Sequence, residues 1–270
     1  MVNSINSSSL SNISSLGSRL KDLHGTQGRV STGLKVNSPK NNSSVFAIAQ
    51  QLSGDISGMS AIKSSLNQAE ATINTAVAAG QAAGDLVIEM KSKAIQANQP
   101  GLDDASRKAL NQEFKQMSEQ LNTISSSASF NGNNLIEQGA KDIDVIMNQD
   151  GEKLKVEGQD LSSQGLGLEN LSLETLDGAA DALSKIDAAV GTLSSAVSEL
   201  GSSASRVENQ AEFTSSLDNV LKEGLGSMVD ADLGSESATS AAEKVKVELG
   251  LKSLAIANAG PNSIKSLFPG

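Results

Sequence analysis

Apolar residues recur at alternating steps of three and four along two long stretches of the chain. The first stretch begins at Val45, ends at Ala97 and is interrupted only at Asp55 and Gly80, while the second covers 183–211 without a break. A mean step of about 3.5 residues places each set on one stripe of a helix, so both stretches are predicted to form long helices packed side by side. The first helix would be roughly 80 Å long, which favours a rod or bundle over an ordinary compact domain.

Breaks and a third helix follow from proline, glycine and capping residues. Residues 37–39, Asn-Ser-Pro, predict a break, because the residue before a proline avoids helical angles. Residues 99–101, Gln-Pro-Gly, end the first long helix. Asp103 or Asp104 can then cap a helix whose apolar positions run through 110–124.

The spacing of apolar residues changes in the middle of the chain. Residues 129–133 have the composition of a turn. Over 142–158 apolar residues alternate with polar ones on both sides of Asp150-Gly151, which predicts a β-hairpin. Residues 159–174 hold leucines among Ser, Gly and Gln, and irregular structure packed on the hairpin is expected there.

The second long helix is predicted over about 176–222, with Gly224 and Gly226 ending or loosening it. An antiparallel return pairs it with 45–98 and brings a last helix, 236–258, alongside an N-terminal one, 5–33. The predicted fold is therefore mainly α, a long antiparallel helical bundle or coiled-coil rod. Its N- and C-terminal helices are paired, and a small β-hairpin lies at the far end from both termini.

The two terminal helices carry more apolar surface than a single chain would use. The N-terminal helix is weakened by Gly25 and Gly28, at about 1 kcal/mol each relative to Ala, and would be marginal alone. The apolar arc of 236–258 is too wide for one interface. We therefore expect assembly with other copies through Ile13, Leu16, Leu20, Leu23, Val30 and Leu34 on one segment and Val245, Leu249, Leu251, Leu254 and Ile256 on the other.

Composition excludes several classes of chemistry. The chain lacks Cys, its formal charge is −10, and His24 is its only histidine. Cysteine-bearing metal sites are therefore impossible, zinc is not expected, and the net charge opposes nucleic-acid binding. The acidic residues of 142–152 lack the spacing of a calcium loop, and no apolar stretch reaches the roughly 20 residues of a membrane span. We expect no enzyme activity, cofactor or metal, no membrane span, and no amino-terminal secretory signal.

Four short segments resemble those of one family, the bacterial flagellins, which are the filament subunits of the flagellum. The first segment contains Arg29, Gly33 and Asn37, and a turn before the hairpin contains Phe130, Asn131 and Gly132. The others are the segment with Arg206 and Glu208 and the carboxyl terminus around 257–268, whose style resembles alphaproteobacterial flagellins. These elements occur in the order that the family shows. The chain departs from the family at Asn41 and Asn42, where relatives have paired acidic residues.

The resemblance implies a short flagellin with two domains. Residues 1–43 and 225–270 would form the terminal assembly domain (D0-like), and 44–224 the helical rod domain (D1-like), with the hairpin near 140–160. It also implies export as an unfolded chain, an extracellular filament that serves motility, and many copies of the chain as partners. An export chaperone and the hook-junction and cap proteins are further implied partners.

The resemblance also bears on the mammalian innate receptor for flagellin. Register with relatives that bind it places Glu89 where the recognised basic residue lies and Lys93 where an apolar anchor lies, while Glu113 keeps the family's acid. We expect weak or no activation, because a reversed charge and a lost anchor each weaken a packed interface. Two alternatives to a filament subunit are a hook–filament junction protein and a surface adhesin that binds glycans through the hairpin.

Overall fold

The structure is a computed structural model that describes residues 2–267, with side chains described from 10 to 256. Within this part, long helices and two small antiparallel hairpins confirm the mainly α class. The helices are α1 (Val2–Thr32), α2 (Ser43–Ala97), α3 (Asp104–Ser127), α4 (Leu176–Val229) and α5 (Leu233–Leu267). The strands are β1 (Ser129–Phe130), β2 (Asn133–Asn134), β3 (Ile143–Ile146) and β4 (Lys153–Val156).

Short polar side chains set the helix starts. Asn42 accepts a hydrogen bond from the backbone nitrogen of Val45 at 3.1 Å, and Asp103 caps α3 through the nitrogen of Ser106. Asp232 accepts from the nitrogens of residues 234 and 235, so α5 begins at Leu233, earlier than predicted. Each cap satisfies backbone donors that have no partner within the helix.

Contacts divide the chain into two compact units. The central unit is Asp55–Asn219, and the terminal unit comprises the residues up to Gly54 together with those from Val220 onward. The core of the central unit contains both predicted apolar tracks, whose members from Ile62 onward are buried or packed against the buried set. Its largest fully buried side chains include Leu66, Ile73, Met90, Phe114, Leu121, Ile186 and Leu200.

In the central unit α2 and α4 run antiparallel. Lys91 pairs with Asp187 at 2.5 Å, and Lys63 donates to the hydroxyl of Ser215 at 2.9 Å. The irregular segment 159–174 is hydrogen-bonded to α3, where the side chain of Asn111 accepts from the nitrogen of Leu173, and to the backbone oxygens of Leu135 and Ile136. The hairpins and this segment thus cover the sides of the helices.

The β3–β4 hairpin lies beside the first part of α2 in this unit. Gln149 in its loop donates to the backbone oxygen of Asp55 at 2.6 Å, and Gln210 on α4 donates to that of Met147 at 2.8 Å. The opposite end of the unit is the α2–α3 connection, where Arg107 binds the carbonyl of Ala97. Within the central unit the hairpin thus lies at the end opposite the α2–α3 connection, because α3 returns along α2 and carries the chain back.

In the terminal unit the ends of the long helices depart from the predicted bounds. α4 continues through Gly224 and Gly226 to Val229, because Leu225, Met228 and Val229 pack in a second cluster with Val36 and Ala49. This packing outweighs the low helix propensity of glycine. At the start of α2, Ile48 of the predicted track is exposed and the neighbouring Ala49 is buried in its place.

Candidate assembly surface

The two terminal helices pack antiparallel within the terminal unit, as the sequence predicts. Arg29 on α1 forms an ion pair with Glu236 on α5 at 2.8 Å, and Arg19 donates to the backbone oxygen of Lys246 at 3.3 Å. A Cβ on Gly250 would lie 3.2 Å from Cδ1 of Leu16. These contacts establish one register along the whole described pair.

The face that α5 turns toward α1 is narrow and only partly apolar. Val247 is 7% exposed there, and Leu254, one of the predicted assembly residues, is half-buried. The other half-buried positions of this face are Glu236, Ser240, Glu243 and Gly250. On α1 the corresponding positions are Leu23, which is buried, and Leu16 and Val30, which are half-buried.

The larger apolar stripe of α5 points away from α1. Val245, Leu249 and Ile256 are 55%, 58% and 75% exposed. At about 100° per residue these positions, together with Ala242, lie roughly opposite Val247 on the helix. The intrachain partner of α5 therefore leaves this stripe uncovered by any described residue.

The remaining predicted assembly residues are exposed on α1 or α5, except for Leu34. Ile13 and Leu20 are exposed on one flank of α1, and Leu251 is exposed at the edge of the α5 face. Leu34 lies beyond the end of α1, half-buried against the second cluster. Leu10 is a further exposed apolar residue of α1 that the sequence reasoning missed, although it precedes Ile13 by three residues and continues the 3-4 spacing.

The segment after α1 is held by backbone pairing as well as by the packing of Leu34 and Val36. Gly33 has a φ of +72°, which favours glycine, and its nitrogen donates to the oxygen of Arg29 at 2.8 Å. The oxygen of Gly33 then accepts from Ala231, and the nitrogen of Lys35 donates to Val229 at 2.7 Å. The two connections, α1 to α2 and α4 to α5, are thereby tied to each other.

The other motif residues occupy turns and exposed positions. Asn37 is exposed. Asn131 and Gly132, both with positive φ, form the two-residue loop between β1 and β2, and the preceding Phe130 is partly exposed. Arg206 and Glu208 are exposed on α4 of the central unit. No ionic contact involving these two residues is found among the described side chains.

The region aligned with the receptor-binding segment contains an ion pair that the sequence reasoning did not foresee. Nζ of Lys93 on α2 lies 2.6 Å from Oε2 of Glu113 on α3. The hydrogen bond that Lys93 donates to Glu113 raises the pKa of Lys93, and the charge of Glu89, which is exposed, adds to the effect. Only the antiparallel return of α3 brings these residues together, so no local pattern could have predicted the pair.

Several exposed apolar residues lie outside the predicted set. Ile88 and Ile95 are more than half exposed on one face of α2, and Phe213 and Val220 are similarly exposed on α4. Each pair is seven residues apart and lies off the buried track of its helix. In the sequence these positions could have been found as apolar residues seven apart that lie outside the main apolar track of their helix.

Features of other functional classes are absent from the described part of the chain. His24 is exposed, and the described residues contain no cluster of three or more metal-ligating side chains. None of the helices, searched over that same part, is both long and apolar enough to cross a bilayer.

Comparison with known proteins assigns the chain to a family. Residues 3–141 match the model of the bacterial flagellin N-terminal helical region, and residues 183–268 match that of the C-terminal helical region. The chain belongs to the bacterial flagellin family. The flagellin FljM of Caulobacter vibrioides is 35% identical over 270 residues, which is 99% of each chain. A flagellin of Brucella melitensis is 30% identical over 278 aligned positions, or 98% of each.

Solved structures share the fold at lower identity. A Bacillus cereus flagellin has a TM-score of 0.50 at 20% identity, and the match covers 54% of this chain and 86% of that one. A protein described as flagellar hook-associated, from Vibrio parahaemolyticus, has a TM-score of 0.56 at 13% identity, covering 72% and 99%. This flagellin is thus a structural subunit of the flagellar filament, from a family of structural proteins.

Proposed function

We propose that this flagellin polymerises by burying the exposed apolar faces of its terminal helices against other copies. The observation that carries the proposal is the α5 stripe of Val245, Leu249 and Ile256, which faces away from the intrachain partner. The exposed flank of α1 at Ile13 and Leu20 is a second apolar surface of the same unit. The assembly residues named from the sequence thus fall into an intrachain set and an exposed set.

The energetic argument rests on burial. Removing one large aliphatic side chain from water is worth about 1.5–3 kcal/mol, so a copy that covers the α5 stripe gains several kcal/mol. The intrachain face of α5, with Glu236, Ser240 and Glu243, offers much less apolar surface. Each terminal helix is therefore better stabilised in a polymer than in the monomer.

The exposed faces of α1 and α5 differ in composition and position. An interface between different faces is heterologous, and repeated without closure it generates an open helical filament. The terminal unit would then supply axial and lateral contacts, as the D0-like domain of the family does. The central unit, Asp55–Asn219, would form most of the D1-like rod. We place that rod at 44–224 and the D0-like domain at 1–43 plus 225–270.

Four finer assignments rest on the family rather than on the geometry. The protein is secreted as an unfolded chain and the filament is extracellular. An export chaperone and the hook-junction and cap proteins are its other partners. It activates the mammalian flagellin receptor weakly or not at all, with Glu89, Lys93 and Glu113 in the altered region. It has no enzymatic activity.

Electron microscopy of salt-precipitated protein tests the proposal. The wild-type protein is expected to form long filaments, and the double variant Val245→Ser/Leu249→Ser to form none while keeping its helical content. Lys244→Ser is the matched control, since it changes an exposed polar position of the same helix. Long filaments from the double variant would contradict the proposed surface, and short rings from the wild type would favour a hook–filament junction protein instead.

A further inference from the structure

Three dipeptides of this chain combine glycine with a preceding side-chain carbonyl that can close a five-membered ring. They are Asn131-Gly132, Asp150-Gly151 and Asp177-Gly178. In such a pair the glycine nitrogen can attack the preceding side-chain carbon, because no Cβ on glycine obstructs its approach. The structure distinguishes these three sites by what each nitrogen and each side chain is already bonded to.

The attacking nitrogen is engaged at two of the three sites. The nitrogen of Gly151 donates a hydrogen bond to the oxygen of Asn148 at 3.3 Å, and that of Gly178 donates to Oγ1 of Thr175 at 3.1 Å. No acceptor for the nitrogen of Gly132 is found among the described residues. Since the nitrogen must lose its proton before it attacks, a site without an acceptor is the most open to this chemistry.

The side-chain amide is also unengaged at the same site. Asn131 is exposed, and no described residue forms a hydrogen bond with its amide. The nearby Asn134 is a contrast, being buried, with its oxygen accepting from the nitrogens of Ile136 and Glu137 at 2.9 and 3.1 Å. Its amide nitrogen donates to the oxygen of Ser125 at 2.7 Å, so this second amide is held at every side.

A ladder of two residue pairs holds the backbone around Asn131. The strands β1 and β2 contain two residues each, and the loop between them is the Asn131-Gly132 pair itself. A hairpin of this size is marginal by itself, so the loop samples other backbone angles through local fluctuations. These fluctuations allow the nitrogen of Gly132 to reach the side-chain carbon of Asn131.

We infer that Asn131 is the site of a spontaneous covalent modification, its conversion to aspartate and isoaspartate. The deprotonated nitrogen of Gly132 bonds to Cγ of Asn131, the bond from Cγ to Nδ2 breaks, and ammonia leaves. Water then opens the resulting succinimide at either carbonyl, which yields aspartate or isoaspartate. Nothing is oxidised or reduced, and water is the only co-reactant.

The modification would change the turn. Either product places a negative charge beside Phe130, and isoaspartate adds one atom to the backbone between residues 131 and 132. The register of Ser129 with Asn134 depends on a two-residue loop with both φ angles positive. A longer backbone cannot keep this register, so isoaspartate should open the β1–β2 pair.

The test is a time course on the full-length folded protein at mildly alkaline pH and physiological temperature. Peptide mass spectrometry should find a gain of about one dalton at Asn131 an order of magnitude sooner than at Asn134, with a matching release of ammonia. Asn131→Gln is the matched variant, because its longer side chain must close a less favourable ring, and it should abolish most of that ammonia.

A parallel sample unfolded in urea makes the result decisive. Conversion of Asn131 in the folded protein at a rate within a few-fold of the unfolded rate supports the inference. Conversion in urea with an intact Asn131 in the folded protein would overturn it, since the turn would then protect the residue. An equal rate at Asn131 and Asn134 in the folded protein would also overturn it.

Discussion

A Cβ atom on Gly80 of α2 would lie 2.8 Å from Cγ2 of Val197 on α4. Gly80 is one of two positions where the apolar track of α2 is interrupted, and the interruption has a packing cause. A side chain there would meet α4 at a distance that real Cβ atoms do not reach. The close approach of the two long helices depends on this glycine and is framed by Leu161, whose Cδ1 would lie 3.5 Å from the same added atom.

Gly80→Ala should therefore destabilise the central unit by about 1 kcal/mol. Overpacking a core costs about 1–3 kcal/mol, which is offset by the better helix propensity of alanine, worth up to about 1 kcal/mol. Urea unfolding followed by circular dichroism measures the change. Gly191→Ala on α4 is the matched control, because no atom lies within 4 Å of the added Cβ; it should stabilise the protein. In the double variant Gly80→Ala/Val197→Ala the loss should be less than the sum of the two single losses.

Arg107 should hold the connection between α2 and α3. The residue is 5% exposed, and its guanidinium donates to the backbone oxygens of Ala97, Gln99 and Leu102. Arg107→Met should cost about 2–4 kcal/mol, because the buried Ala97 carbonyl loses its donor at about 1–3 kcal/mol and two less buried carbonyls lose theirs at a smaller cost. Denaturant unfolding gives the free energy, and hydrogen exchange over 98–103 reports the local effect. Lys108→Met, at an exposed neighbour, should change neither; an equal loss in both variants would argue against the carbonyl contacts.

The β3–β4 hairpin should weaken in acid. Asp142 accepts from the nitrogen of Gly158, and its carboxylate lies 2.8 Å from Nζ of Lys155. The hydrogen bond from Lys155 and that from Gly158 lower the pKa of Asp142 below its ordinary value of 3.8. A carboxyl whose pKa is lower in the folded state stabilises that state above its unfolded pKa, and this stabilisation is lost as pH falls through the folded pKa. NMR titration should show the pKa of Asp142 moving back toward 3.8 in Lys155→Gln; an unmoved pKa would mean that the pair does not form in solution.

The receptor prediction concerns charge on the exposed face of α2. Glu89→Arg should raise activation of the mammalian flagellin receptor in a reporter-cell assay, and Glu89→Arg/Lys93→Leu should raise it further. The second change restores an apolar anchor and frees Glu113 from its ion pair with Lys93. Each interfacial change of this kind is worth up to a few kcal/mol, about tenfold for every 1.4 kcal/mol. Wild-type potency equal to that of an enterobacterial flagellin would contradict the prediction.

Deletion of residues 236–270 should separate folding from assembly. The central unit makes its core from Asp55–Asn219 and does not include α5. The shortened protein should remain a soluble helical monomer with a cooperative thermal transition, and electron microscopy should find no filaments. Long filaments from this variant would show that the terminal helices are not the assembly element.

Some features of the chain are local and could be predicted from the sequence. The 3-4 spacing predicted α2 and α4 as long helices, the Asp103 cap placed α3, and the alternation across Asp150-Gly151 placed the hairpin. Helix ends could not be predicted where packing outweighed the low helix propensity of glycine, as at Gly224 and Gly226. Pairing of α1 with α5 was also predictable, since both helices carry apolar surface that needs a partner.

The tertiary structure decided which face of each helix is buried within the chain. Spacing along the chain showed that the apolar arc of α5 is too wide for one interface but could not say that Val247 faces α1 while Val245 and Leu249 remain exposed. The pairing of Lys93 with Glu113 and the position of the hairpin beside Asp55 depend on the antiparallel return of α3. The physical reason is that the period of side chains is a local property of the backbone, whereas the choice of partner depends on distances between residues far apart in sequence. The sequence alone determined a mainly helical flagellin; only the fold distinguished the apolar surface buried within one chain from the apolar surface left exposed.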